Sequence, residues 1–253
     1  MKATSTTRRT SRPARPVRLP RSSVQAKALV RAGWNAASTF YRPERARKTV
    51  FGLTAARTQR WLRPLFARLP VGARVIDLGC GCGLPATRQL ARRFEVTGVD
   101  ISDVQIARAR RLVPEATFVR ADMSRVRFPP HSVQGVVALY SLIHVPLEEQ
   151  RPLLLRVHRW LAPRGLLLLI AGHLPYTGVE ADWLGSGATM YWAHADARTY
   201  ARWLRDAGFV VERQIIVREP GASHTLFLAR REGRPPRVAG RRAAPRQSGS
   251  VRP

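Results

Sequence analysis

A glycine-rich stretch and three acidic residues are the groups of this chain that could bind a polar ligand. Residues 75–83 read VIDLGCGCG, so an apolar run containing Asp77 leads into alternating glycines. Glycine adopts positive φ readily and lets a ligand approach the main chain closely. Asp100 ends the next apolar run, and Asp122 follows the one after it. Carboxylates at the ends of neighbouring strands could accept hydrogen bonds from ribose hydroxyls or an amino group.

Histidines and aromatic residues supply candidates for chemistry and for substrate binding. His144 and His194 are the candidate general bases, although each could equally be a structural histidine. The aromatic stretch between residues 182 and 196 could line an apolar pocket for a small organic molecule, or could simply pack a loop onto the sheet. The candidate substrate-binding residues in that stretch are Trp183, Met190, Tyr191 and Trp192.

Alternating strand and helix patterns would position these groups. Apolar runs predict strands over 75–78, 94–100, 116–120, 133–139 and 166–171. Helical patterns between them cover 85–93, 103–112 and 147–161. Such alternation predicts an α/β fold, in which helices cover both faces of a parallel sheet.

Further elements are predicted on either side of this core. Helices are expected over 24–41 and 50–69, and Pro64 should bend or split the second one. A helix over 196–207, with Asp196 as its N-cap, precedes strands over 209–217 and 224–229. No helix separates those two strands, which indicates an antiparallel hairpin at the sheet edge.

These elements form one predicted domain. It covers residues 24–230, with N-terminal helices over 24–70, a ligand-binding core over 73–172 and an acceptor-side region over 173–230.

Six short motifs occur in an order and spacing that resemble a known family. They are VIDLGCGCG at 75–83, VDIS at 99–102, RADM at 120–123, FPPHSV at 128–133, LIHV at 142–145 and LAPRGL at 161–166. The array is similar to class I S-adenosylmethionine-dependent methyltransferases over roughly residues 73–230, in the small-molecule, type 11/25-like branch. This resemblance implies a Rossmann-like, doubly wound sheet of seven strands, mostly parallel, with the last strand inserted antiparallel.

The resemblance also implies a set of residues that bind S-adenosylmethionine. The glycine backbone would lie under the methionine portion, Asp77 near its amino group, Asp100 at the ribose and Asp122 at the adenine amino group. The cofactor-binding candidates are Asp77, Gly79, Gly81, Gly83, Asp100, Ile101, Asp122, Met123, Tyr41 and Tyr140. A dinucleotide fingerprint would instead need glycine at position 84, where Leu84 stands, which argues against a nicotinamide-dependent oxidoreductase.

The implied activity is methyl transfer to a small organic acceptor by in-line displacement, with positioning as the main catalytic effect. The alternative is a nucleic-acid methyltransferase, or a nucleic-acid-binding protein that uses arginine-rich tails. Residues 139–142 read LYSL, so the Asn/Asp-Pro-Pro-aromatic motif of base amino methylation is missing at that place. No metal is expected, and the sequence leaves open the acceptor atom and the oligomeric state.

The charge of the chain is concentrated in its two ends. The net charge is +28, of which residues 1–23 and 230–253 carry seven each. Segments 1–23 and 231–253 are predicted to be disordered basic tails. They could bind a polyanion, or they could reflect codon bias alone.

The number of cysteines and the hydropathy of the sequence indicate the cellular compartment in which the protein would occur. The only cysteines, Cys80 and Cys82, are too close together for a disulfide scaffold, which favours a reducing, cytoplasmic setting. No apolar run reaches the length of a membrane span, so no span is predicted.

Overall fold

Seven strands form the central sheet of the computed structural model, which describes residues 18–42, 54–219 and 221–232. They are β1 (Arg74–Leu78), β2 (Glu95–Asp100), β3 (Thr117–Arg120), β4 (Val133–Leu139), β5 (Leu161–Gly172), β8 (Phe209–Glu219) and β9 (Ala222–Arg231). Two further strands, β6 (Tyr176–Glu180) and β7 (Met190–His194), pair antiparallel with each other in a separate small sheet.

The order across the main sheet is β3-β2-β1-β4-β5-β9-β8. Strands β1 to β5 pair in parallel, whereas β9 is antiparallel to both of its neighbours. The mostly parallel sheet with one antiparallel strand, and the hairpin at its edge, are therefore confirmed. The strand order reverses between β1 and β4, and ligands bind outside the carboxyl ends of parallel strands at such a switch point.

Six α-helices occur in the described residues: α1 (Ser23–Tyr41), α2 (Ala55–Arg68), α3 (Ala86–Ala91), α4 (Asp103–Leu112), α5 (Leu147–Trp160) and α6 (Ala197–Asp206). Four of them begin at a side-chain cap that accepts a backbone N–H from the first turn, namely Ser22, Thr54, Ser102 and Asp196. The predicted N-cap at Asp196 is confirmed.

Helices cover both faces of the sheet, because alternate side chains of each strand point to opposite sides. Ile76 packs with α5 and α6 residues, including Leu153 and Tyr200, on one face. Val75 packs with α2 residues, including Leu62 and Leu65, on the other. The strands are thus buried on both sides, which explains their nearly continuous apolar sequences.

Some boundaries differ from the predictions. Helix α2 begins at Ala55 and continues through Pro64, so the proline does not split it; the predicted start at residues 50–53 lies outside the described residues. Pro64 is only half-buried, so water can satisfy the carbonyl that loses its partner. The β6–β7 hairpin was not predicted.

The two chain ends are described only in part. Segments 1–17 and 233–253 of the predicted basic tails lie outside the described residues. Ser22 and Ser23 already belong to the start of α1, and Arg231 still belongs to β9, so ordered structure extends slightly beyond residues 24–230. Within the described part, no helix has both the length and the apolar character needed to cross a membrane.

Candidate functional site

A cavity of about 890 Å³ lies at the carboxyl ends of the parallel strands. Its floor comes from the loops after β1, β2, β3 and β4, and α1, the β6–β7 region and the β8–β9 turn contribute its walls. Of the predicted site residues, those on the cavity wall are Tyr41, Gly79, Gly81, Asp100, Ile101, Asp122, Met123, Tyr140, His144, Trp183, Trp192 and His194. The volume falls within the range of about 300–1,000 Å³ that is usual for ligand sites.

The three loop glycines have different roles. Gly79 and Gly81 both have positive φ and line the cavity. A Cβ at Gly79 would lie 2.1 Å from Cβ of Ser141, so that glycine allows β1 and β4 to approach each other. A Cβ at Gly81 would meet no atom closer than 3.9 Å, so its backbone borders open space. Gly83 does not line the cavity; a Cβ there would lie 2.9 Å from Val113 at the end of α4.

Asp100 links the glycine loop to the next strand. Its two carboxylate oxygens accept hydrogen bonds from the backbone N–H groups of Gly81 (2.9 Å) and Ser102 (2.8 Å). Burial raises the pKa of Asp100 to about 6, although these hydrogen bonds act to lower it. Each oxygen retains acceptor capacity toward the cavity, because a carboxylate oxygen has two lone pairs.

Asp77 lies behind the loop and not on the cavity wall, contrary to the expected contact with a ligand. Its carboxylate accepts a hydrogen bond from the Thr87 hydroxyl at 2.6 Å. Burial, together with the charge of Asp100, raises its pKa to about 6. A contact with the cofactor through an intervening group stays a prediction.

Asp122 is held by a lysine that the sequence did not single out. Nζ of Lys27, on α1, donates to Asp122 (2.8 Å), Glu149 (2.8 Å) and Ser124 (3.2 Å). Burial alone would lower the pKa of Lys27, but the bonds to the two carboxylates outweigh it and raise that pKa. This cluster ties α1 to α5 and to the loop after β3, directly beside the cavity.

Aromatic side chains of α1, of the segment before β7 and of β7 itself form part of the cavity wall. Trp34 on α1 makes edge contacts with Trp183 (ring centroids 4.8 Å apart), Tyr41 (5.0 Å) and His144 (5.5 Å). Trp192 lies 4.4 Å from the His144 ring. This set, which we call the aromatic wall, presents apolar surface to the cavity.

Met190 and Tyr191 do not line the cavity, contrary to prediction. The segment is a strand and not a loop. Its side chains therefore alternate, and Trp192 and His194 reach the cavity, whereas Tyr191 is buried away from it. Met190 is fully buried under α1, where its side chain fills the space that Gly33 leaves open.

The two predicted base candidates are both tied to backbone carbonyls through Nδ1, His144 to Tyr191 (2.9 Å) and His194 to Leu174 (2.7 Å). Burial lowers the pKa of His144 to about 4 and also lowers the pKa of His194. Both imidazoles are therefore neutral at pH 7, and His144 is a weak proton acceptor. Their role as general bases stays a prediction.

Both cysteines of the glycine loop are free and buried. Cys80 packs in an apolar cluster with Ile106, Ala109 and Phe118, so it acts there as a small hydrophobic residue.

Residues 75–165 match a family described as a methyltransferase domain. A trans-aconitate 2-methyltransferase from Variovorax paradoxus is 38% identical over 110 residues, which are 42% of this chain and 41% of that enzyme. Another, from Methylobacterium nodulans, is 32% identical over 170 residues, covering 58% of this chain and 62% of that enzyme. The chain thus spans less than two thirds of the length of these relatives.

A solved structure with bound S-adenosylhomocysteine shares the fold. The magnesium protoporphyrin IX methyltransferase of Synechocystis PCC 6803 superposes with a TM-score of 0.64 at 22% identity, covering 82% of this chain and 100% of that one.

Proposed function

We propose that this chain transfers the methyl group of S-adenosylmethionine to a small organic acceptor, because it matches a methyltransferase domain, resembles named methyltransferases and shares the class I fold. The observation that carries the proposal is the joining of two surfaces in one cavity. The glycine loop, Asp100 and Asp122 line this cavity together with the aromatic wall.

The glycine loop and the polar residues of the cavity wall fit S-adenosylmethionine. The open side of Gly81 leaves room for the methionine portion against the main chain. The Asp100 carboxylate has spare lone pairs for the ribose hydroxyls, and Ile101 and Met123 offer apolar surface to the adenine beside Asp122. When bound, the cofactor supplies a methyl group on a sulfonium, which is already activated for attack.

The task left to the protein is to hold the acceptor in line with that methyl group and to exclude water. A well-oriented reactant pair removes about 7–11 kcal/mol of barrier in the most favourable cases. The aromatic wall and α1 cover the cavity and supply the rigid surface that such orientation needs.

The charge of the cavity wall bears on the class of acceptor. Among the described residues, four carboxyl groups line it together with two basic side chains, of which Lys27 pairs with two carboxylates. The carboxyl groups are Asp100, Asp122, Glu180 and Glu219, and the second basic residue is Arg42. A tricarboxylate such as trans-aconitate would be repelled, so we expect a neutral or cationic, largely apolar acceptor.

Two measurements test this function. S-adenosylhomocysteine at 100-fold over its dissociation constant should stabilise the protein by about 2.7 kcal/mol, while NADH should not. Radiolabelled methyl transfer should then be measured on a panel of phenols, aromatic amines, trans-aconitate and RNA. No stabilisation by S-adenosylhomocysteine would refute the proposal, and methylation of trans-aconitate or RNA in preference to the aromatic compounds would refute the acceptor class.

A further inference from the structure

Three side chains of the cavity wall form a cluster: Tyr140, which is one of the predicted cofactor-binding residues, and two residues that the sequence motifs did not indicate. Tyr140 follows β4, Glu219 ends β8 and His224 lies near the start of β9. All three line the cavity. Val217 pairs with His224 across the hairpin, so Glu219, two residues on, shares the face on which His224 lies.

Tyr140 is held in an unusual backbone conformation at this cluster. Its φ is 59°, in the left-handed region that a residue with a large side chain seldom adopts. Its hydroxyl donates a hydrogen bond to Glu219 at 2.7 Å, and its ring packs edge-on against His224 with centroids 5.0 Å apart. Strained residues of this kind concentrate at functional sites.

Glu219 is an ionised carboxylate inside the wall. Its side chain is only 3% exposed, and Arg57 lies 3.5 Å from its Oε1. Burial alone would raise its pKa, but the contacts with His224, Tyr140 and Arg57 outweigh that effect and lower it. The carboxylate is therefore charged at neutral pH and can orient a neighbouring imidazole.

The His224 ring lies beside that carboxylate. Nδ1 is buried and lies 3.3 Å from Oε2 of Glu219, within ion-pair distance but outside hydrogen-bond geometry, and no other group in the described part of the chain bonds it. Nε2 has no hydrogen-bond partner among the described residues and is not buried. Since His224 lines the cavity, Nε2 is the ring nitrogen left for a bound ligand.

The other two cavity histidines lack such a carboxylate. His144 and His194 bond to backbone carbonyls, and burial lowers the pKa of each. A histidine held by a buried carboxylate is a better proton acceptor, because the carboxylate stabilises the imidazolium that forms.

We propose that His224, oriented by Glu219, accepts the proton of a hydroxyl group on the acceptor during methyl transfer. The inference rests on the proposed function and narrows its acceptor to a phenol-like hydroxyl compound. As the bond between the acceptor oxygen and the methyl carbon forms, the sulfur–methyl bond breaks and its electron pair stays on sulfur. The hydroxyl proton passes to Nε2 of His224 and then to solvent.

The decisive test is histidine NMR on the full chain, labelled with ¹⁵N at histidine and saturated with S-adenosylhomocysteine. The His224→Asn variant identifies the His224 signals. We expect the neutral tautomer that carries its proton on Nδ1, and a shift of this equilibrium toward the Nε2-protonated tautomer in Glu219→Gln. The titratable groups within electrostatic reach of His224 are Glu219, Tyr140, His144 and His194, and Arg57 lies beside Glu219.

His173→Asn is the matched control, because His173 bonds Thr225 near His224 without lining the cavity. A proton on Nε2 in the neutral wild-type ring, or a tautomer equilibrium that Glu219→Gln leaves unchanged, would overturn the proposal even when S-adenosylhomocysteine is bound. Failure of S-adenosylhomocysteine to bind the wild-type chain would instead refute the proposed function, so the two failures are distinguishable.

Kinetics on the hydroxyl compounds of the panel add a second readout. His224→Asn keeps an amide N–H that can donate to Glu219, so the fold and cofactor affinity should be retained. We expect the turnover number to fall about 100-fold, the lower range for loss of a general base. Wild-type turnover in this variant, or methylation confined to amines, would contradict the role of His224.

Discussion

Asp100 both stabilises the glycine loop and lines the cavity. Its carboxylate holds the backbone of Gly81 and Ser102, and it also lines the ligand site. A position at the end of β2 explains both, because the strand delivers the side chain to the crevice beside β1. The motif order predicted this placement, since Asp100 ends an apolar strand of the core.

Replacing Asp100 by alanine should weaken S-adenosylhomocysteine binding tenfold or more. The change removes charged hydrogen bonds, each of which contributes about 1.5–3 kcal/mol, and also releases the glycine loop. Isothermal titration calorimetry measures the affinity. The matched control is Asp103→Ala, which removes a half-exposed carboxylate three residues away that pairs with Arg120 outside the cavity. Equal affinities for the two variants would count against the ribose contact.

Asp77→Asn should stabilise the ligand-free protein at pH 8 by about 1–3 kcal/mol. Burial raises the pKa of Asp77 to about 6 in the folded chain, so ionisation opposes folding above that pH, at about 1.4 kcal/mol per pKa unit. Near pH 4 the carboxyl is neutral in the folded chain and about half ionised in the unfolded chain, where its pKa is 3.8, so most of the gain should be lost there. Urea unfolding at pH 8 and pH 4 measures the difference, and a destabilised variant at pH 8 would contradict this account.

At the scale of elements, the strands were the most predictable part. Strands β1, β2 and β4 are buried on both faces, so each appears as a short apolar run that ends near a polar or glycine residue. The β6 strand was missed because its sequence, YTGVE, is polar and largely exposed. No periodicity marks such a strand, and only pairing with β7 fixes it.

Residues of the site could be predicted from the sequence only where they come directly after a predicted strand. Contacts of Lys27 with Asp122 and of Glu219 with Tyr140 join residues 95 and 79 positions apart. Such contacts depend on how α1 and the last hairpin pack, which local pattern does not encode. A glutamate before Pro-Gly, with a histidine five positions later on the returning strand, is the one local signal that could have indicated the His224 cluster.

Helix α1 should loosen when Lys27 is replaced by methionine. The change leaves Asp122 and Glu149, whose side chains are 18% and 25% exposed, without their shared cation. We expect a loss of about 1–2 kcal/mol in unfolding free energy and faster hydrogen exchange across residues 23–41. Exchange measured by mass spectrometry should remain unchanged in Arg31→Met, an exposed change on the same helix. Equal hydrogen exchange in Lys27→Met and Arg31→Met would show that Lys27 does not stabilise the packing of α1.

At the scale of the whole molecule, the described cavity residues lie outside the two basic ends of the sequence. The cavity residues that the structure describes run from Lys27 to His224, whereas half of the net charge lies in residues 1–23 and 230–253. No contact in the described residues favours the nucleic-acid alternative, which rested on those ends.

Removal of residues 1–17 and 233–253 should leave S-adenosylhomocysteine affinity within about twofold of the full chain, because the helix caps, strands and cavity residues of the described fold all lie between residues 18 and 232. The cuts spare Ser22, which caps α1, and Arg231, which ends β9. Calorimetry on the truncated chain measures the affinity. A large loss would show that an end of the chain belongs to the site.

Asp77, behind the glycine loop, and Asp100, on the cavity wall, are two buried carboxyl groups. Their protonation should respond to the charge of a bound ligand. Burial places the pKa values of Asp77 and Asp100 near 6, so each is partly protonated in mildly acidic solution. A positively charged ligand bound next to Asp100 would lower both pKa values and release protons, whereas S-adenosylhomocysteine carries no sulfonium charge. Proton release on binding should therefore distinguish the two ligands most clearly near pH 6, and little at pH 8, where both carboxyl groups are already ionised.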